Sequence, residues 1–161
     1  MAAWQVDFYL VPRAAIGAAA TALTPGELDS TDWWGVATFP SDYQRRLDSV
    51  ASRGQPLTAQ VETWGREDGN RIDVATEDGR VQSVVVRVDV RRLDSKFGAA
   101  LIEFVRKVGA LLVRRDGLIV EPTIAAYAGA LRTSNAWRFS SDPAAFLAAR
   151  VAEEKDDDDD D

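Results

Sequence analysis

The stretch RIDVATEDGRVQSVVVRVDVRRLDSKFGAALIEFVRKVGALLVRRDGLIVE, residues 71–121, decides the fold. Two strand-like runs, Arg71–Thr76 and Val81–Arg91, meet at Asp78-Gly79. In the second run Val84, Val86, Val88 and Val90 point one way, and Val85, Arg87, Asp89 and Arg91 the other. In the first, Ile72 and Val74 alternate with Arg71 and Asp73. A two-residue turn would set Asp73 opposite Val84 and mix the faces. A three-residue loop, Glu77-Asp78-Gly79, sets Ile72 opposite Val84 and keeps the apolar face whole. Register follows the apolar pattern, so that loop, with Gly79 left-handed and a bulge, is the expectation. The polar face then carries Arg71, Asp73, Arg87, Asp89 and Arg91, as a cross-strand charge ladder or as part of a site.

Ser95–Val108 reads as an amphipathic helix. Phe97, Leu101, Phe104, Val105, Val108 and Leu112 recur at helical spacing. Asp94 or Ser95 can cap its start and Gly109 can end it. Glu103 and Lys107 form an i,i+4 pair on the opposite face. A second hairpin pairs Ala110–Arg114 with Leu118–Glu121 through Asp116-Gly117. One apolar helical stripe and one apolar sheet face imply an α+β fold. The expected architecture is a single domain, mainly an antiparallel sheet with helices packed on one face.

Outward from this stretch, Trp4–Val11 alternates as a strand that Pro12 ends. Alanine-rich Arg13–Leu23 reads as helical, weakened by Gly17. Thr24-Pro25-Gly26-Glu27 has the form of a capping box with proline at the first helical position. Ser41 is expected to cap another helix, with Tyr43, Leu47 and Val50 buried. Leu57–Trp64 reads as a strand and Gly65–Asn70 as a polar turn. Thr123 caps a helix with Ile124, Tyr127 and Leu131 inward. Ala136–Phe139 reads as extended, and Asp142-Pro143 opens a last helix with Phe146, Leu147 and Val151 on one side.

The chain has 161 residues, enough for one domain with a sizeable core. Its net charge of −7 is unevenly placed. Glu153–Asp161 holds eight acids and one lysine, so this run carries all of it, and residues 1–152 hold 18 charges of each sign. The expected division is a domain over 1–152 and a disordered acidic tail over 153–161. A neutral body does not indicate a nucleic-acid surface. No apolar run is long enough to span a membrane, and Met1-Ala2-Ala3-Trp4 has no secretory signal character. Cysteine is absent, which fits a cytoplasmic protein. The excess of arginine over lysine, with abundant alanine, reads as a GC-rich bacterial genome.

Histidine is absent too, which excludes Ser-His-Asp and Cys-His arrangements and leaves no His or Cys metal ligand. Catalysis would need carboxylates, Tyr, Lys or Arg. Glu62, Glu67, Asp68, Asp73 and Asp89 are candidates for a carboxylate-dependent hydrolase or nuclease using a divalent metal, with Asp73 and Asp89 foremost. The structural alternative is that Asp73 and Asp89 pair with Arg71, Arg87 and Arg91, and that Glu67-Asp68 is turn composition. Trp33 and Trp34, adjacent in a loop, are the candidate partner-binding residues, because exposed tryptophan anchors protein partners. Their structural alternative is folding over the edge of the core. No cofactor is expected.

The segment Val81–Thr123, which contains VVVRVDVRRLDSKFGAALIEFVRKVGALLVRRDGLIVEPT, resembles small cytoplasmic bacterial proteins of the polymorphic-toxin immunity type. The likeness lies in the order strand, helix, Asp-Gly hairpin and covers about a quarter of the chain. It implies a non-catalytic protein that binds and blocks a toxin-like protein partner. An uncharacterised structural domain is the remaining alternative.

Overall fold

The computed structural model describes residues 2–158, with side chains described through Glu153. Six strands form one antiparallel sheet: β1 (Gln5–Pro12), β2 (Val61–Gly65), β3 (Arg71–Glu77), β4 (Arg80–Asp89), β5 (Ala110–Arg114) and β6 (Ile119–Val120). Their spatial order is β2-β3-β4-β1-β5-β6. Six α-helices accompany them: α1 (Pro25–Ser30), α2 (Tyr43–Asp48), α3 (Ser95–Lys107), α4 (Ile124–Arg132), α5 (Asn135–Ser141) and α6 (Pro143–Asp158). This is the expected α+β fold with an antiparallel sheet.

The central hairpin reaches the expected facing by another route. Asp78 (φ 50°) and Gly79 (φ 74°) are both left-handed, and Glu77 pairs with Arg80. That is a two-residue turn of the primed kind, not the three-residue loop. Thr76 pairs with Val81 but Ala75 with Ser83, so Gln82 is an extra residue, a β-bulge. The bulge restores parity: Val74 lies opposite Val84 and Ile72 opposite Val86. It also keeps Val81 on the buried face with Val84, three residues on.

The main core lies on that face. Val6, Phe8, Leu10, Trp64, Ile72, Val74, Val84, Val86, Val88 and Leu112 meet Phe97, Leu101, Phe104 and Val105 of α3, Tyr127 and Leu131 of α4, and Leu47 of α2. Asp94 caps α3 by accepting from the Lys96 and Phe97 amides, and Thr123 caps α4 by accepting from Ala126. A smaller cluster, Val11 and Val113 under Leu28 of α1, covers part of the other face. Helices therefore lie on both faces, with most on one. The Thr24–Glu27 capping box holds α1 as expected.

Four expectations change. Arg13–Leu23 is not a helix: one 3₁₀ turn at Arg13–Ala15 leads into extended chain. Ile16 donates to Arg13 O and Ala20 to Gly17 O within it, and at its end Leu23 donates to Gly117 O and Ile119 to Thr21 O, so residues 21–23 line the outer edge of β6. Ala136–Phe139 is helical within α5, capped by Ser134, whose hydroxyl accepts from Trp137 N at 3.1 Å. The start of α2 is Asp42, whose carboxylate is taken by Arg46 at 2.8 Å, so Ser41 is not the cap. Ile124 faces outward. At the C-terminus, α6 continues through Asp158, beyond the boundary expected at Ala152. Asp159–Asp161 of the expected tail lie outside the described residues.

Candidate functional site

The half of the second sheet face away from α1 carries the charges, and Asp7, Arg71 and Asp89 are buried within it. Arg71 sits directly opposite Arg87, an arrangement of like charges that needs local acids. Each finds one. Arg71 Nε donates to Asp73 at 2.9 Å, and Thr63 Oγ1 donates to the same carboxylate at 2.7 Å. Arg87 Nε donates to Asp7 at 3.0 Å, and Arg115, in the turn after β5, donates to Asp7 at 3.4 Å. Asp89 accepts from the Arg91 side chain at 2.7 and 3.0 Å and from the Arg91 amide at 2.9 Å. Those bonds from Arg91 hold the Asp89 carboxyl below its ordinary range, against its burial.

Asp73 and Asp89 therefore belong to separate ion pairs on adjacent strands. Glu62 lies apart, accepting from Tyr43 Oη, from Gln44 Nε2 at 2.6 Å and from Arg53 at 3.2 Å. Asp68 pairs with Arg66 within the β2–β3 turn. Among the described residues no three acids converge in a way that could hold a cation. The face acts chemically as a paired charge ladder, the structural reading of those carboxylates.

Trp33 and Trp34 part company. Trp34 is buried, donates Nε1–H to Leu10 O at 3.0 Å, and packs edge-on against Phe39 at 4.7 Å. It is a core residue and offers no surface to a partner. Trp33 is half-buried, donates to Leu28 O at 3.1 Å, and packs on the smaller core cluster. The pair sits in a turn in which Gly35 N donates to Asp32 O, so that Trp34 enters the main core while Trp33 stays partly exposed and touches both clusters.

Both sheet edges are covered. Gly54 donates to Thr63 O and Gly65 to Ser52 O along the outer side of β2. Residues 21–23 do the same for β6. A partner strand thus finds no free ladder at either end. At one end of the sheet an open cleft of about 1100 Å³ lies between the β2–β3 turn and the start of α3. Arg91 stacks on Trp4 there, 4.1 Å from the ring centroid. Arg66, Arg91, Arg92 and Lys96 are balanced by Glu67, Asp68, Asp89 and Asp94, so its lining is neutral.

What remains is α6. Its inner side holds Phe146, packed edge-on against Phe139 of α5 at 5.9 Å. Its outer side holds Ala144, Leu147, Ala148 and Val151, spaced i, i+3, i+4 and i+7 and all exposed. Leu147 and Val151 are 55% and 53% exposed. The sequence reading set Phe146, Leu147 and Val151 on one side, but a step of one residue turns the helix by about 100° and separates Phe146 from Leu147. The signal it passed over is the small-residue stripe flanking Leu147 and running into the acidic sequence. No protein-family model, curated protein or solved structure matches this chain.

Proposed function

We propose that this chain is a non-catalytic protein-binding module that covers and inhibits a toxin-like partner, with the outer face of α6 as its contact surface. The observation that carries the reading is the exposure of Leu147 and Val151, about one turn apart on α6, where among the described residues Phe146 alone is partly covered, by Phe139 of α5. Large apolar side chains aligned on a surface are the usual core of a docking patch. Two surrounding features support it: the sheet edges are covered, and Asp73 and Asp89, foremost among the carboxylates of a possible metal site, are held in ion pairs. The resemblance of Val81–Thr123 to immunity-type proteins points to a bacterial, cytoplasmic setting and to the product of a neighbouring gene as the partner.

The test is calorimetric binding of the full chain to that gene product, beside a metal-dependent hydrolysis screen. Binding is expected to survive Asp73→Asn with Asp89→Asn and to weaken at least about tenfold in Leu147→Glu with Val151→Glu, the size of an interface hot spot. Metal-dependent turnover lost in the double Asn variant would overturn the reading.

A further inference from the structure

The sequence contains three Asp-Gly pairs, Asp68-Gly69, Asp78-Gly79 and Asp116-Gly117, and each lies in a turn between two strands. An aspartate followed by glycine is the pair most open to backbone rearrangement, because no side chain on the second residue hinders its amide. In that reaction the glycine amide nitrogen attacks the aspartate Cγ. The N–Cγ bond forms as the Cγ–OH bond breaks, and the hydroxyl leaves with the amide proton as water. A second water then opens the succinimide ring. Opening at Cγ returns aspartate, and opening at the α carbonyl leaves the chain running through Cβ, as isoaspartate. Water is the only other reactant. The step needs an amide free to move and a carboxyl free to turn and to take up a proton.

The fold denies both to two of the pairs. Asp116 accepts from Arg114 at 2.9 and 2.7 Å, and the Gly117 amide donates to Arg114 O at 2.7 Å. Gly117 is also buried against Leu23 O, with no room for a Cβ. Asp68 accepts from Arg66 at 3.1 and 3.2 Å, and the Gly69 amide donates to Arg66 O at 3.2 Å. In both, the bonds from the arginine hold the carboxyl below its ordinary range, which works against forming the hydroxyl that must leave. Asp78-Gly79 differs on each count. Among the described residues no hydrogen bond engages the Asp78 carboxylate or the Gly79 amide. Both residues are exposed, with open space where a Cβ on Gly79 would lie. Asp78 also holds a left-handed φ of 50°, which is costly for a residue with a Cβ, so departure from the turn relieves strain. We propose that Asp78-Gly79 is a modification site, the pair at which this folded chain converts spontaneously to isoaspartate. The product carries one more methylene in the main chain of a two-residue turn. That turn forms one wall of an open cleft of about 400 Å³, with Trp34, Phe39 and Tyr43 also lining it, so the change reshapes the cleft.

The test holds the full chain in warm neutral buffer for several weeks, with a second batch in denaturant. Peptide mapping with electron-transfer fragmentation, which breaks an isoaspartyl residue at its Cα–Cβ bond, counts the product at each pair. In the folded chain isoaspartate is expected at residue 78 at least about tenfold faster than at 68 or 116, the factor set by one or two hydrogen bonds that must first break. In denaturant the three rates should converge to within about threefold, because the folded turns and not the neighbouring residues set the difference. Amide hydrogen exchange of the fresh chain should be faster at Gly79 than at Gly69 or Gly117. Equal rates of conversion at the three pairs in the folded chain, or a lead by residue 68 or 116, would overturn the proposal. So would the absence of isoaspartate at 78, the same preference for 78 in denaturant, or slower exchange at Gly79 than at the other two glycines.

Discussion

Phe104 and Tyr43 show how single residues tie the two layers. Phe104 lies in the last turn of α3, buried against the valines of the sheet, 6.2 Å from the Phe39 ring. Phe104→Ala removes a large buried ring and is expected to cost about 3–5 kcal/mol, read as a shift in the chemical-denaturation midpoint. A loss below about 1 kcal/mol would place the ring on a solvent face. Tyr43 donates to Glu62 and packs 6.3 Å from Trp64. Burial, then that hydrogen bond, pushes its phenol up to about 12. The folded state holds this proton more tightly than the unfolded chain. The resulting stability is full below pH 10 and is lost as pH rises through 12. Difference titration of the chain against Tyr43→Phe should show one phenol ionising near 12. Glu62→Gln should lower that value without restoring 10, because burial is the larger cause.

At the scale of elements, the β3–β4 hairpin depends on one residue that pairs with nothing. Without the Gln82 bulge, the primed turn at Asp78-Gly79 would set Val84 against Asp73 and Ser83 against Val74. Deleting Gln82 removes the unpaired residue and leaves each of those partners in place. The deleted chain is expected to fold, with a loss of about 1 kcal/mol or less, the scale of a local irregularity. Deleting Val85 instead brings in the mixed register, burying Ser83 and turning Val84 toward Asp73. That chain is expected to lose most of its cooperative thermal transition, since a one-residue slip exchanges faces. Equal behaviour of the two deletions in thermal melts would mean that the bulge does not set the register.

For the molecule as a whole, charge and core are separate. The core is built from residues 4–137, and the net charge resides in Glu153–Asp161. Truncation after Ala152 removes no residue of either core cluster. The melting temperature is expected to stay within about 2 °C, less than a 1 kcal/mol change would give in a domain of this size. A large drop would show that the acidic run packs on the body.

Periodicity and capping residues were enough for α3, for the alternation of β1, β3 and β4, and for the cap of α4. Those features arise from neighbours in sequence: a 3.6-residue stripe, a two-residue alternation, a side chain reaching an amide two or three residues on. Residues 13–23 look helical by composition, yet Thr21 O and Leu23 N are claimed by Ile119 and Gly117, partners about a hundred residues away, and Arg13 N by Gly109 O. The side chain of Asp42 is likewise claimed by Arg46 before it can cap. The different burial of Trp33 and Trp34 depends on a turn that sends Trp34 into the main core and leaves Trp33 at its edge, in touch with both clusters. The candidate site was half legible. Sequence alone gave the acidic run and the apolar residues of α6. Only the packing of Phe146 on Phe139 set Phe146 apart from the exposed Leu147 and Val151, because a helix alone has no inside until something covers one of its sides.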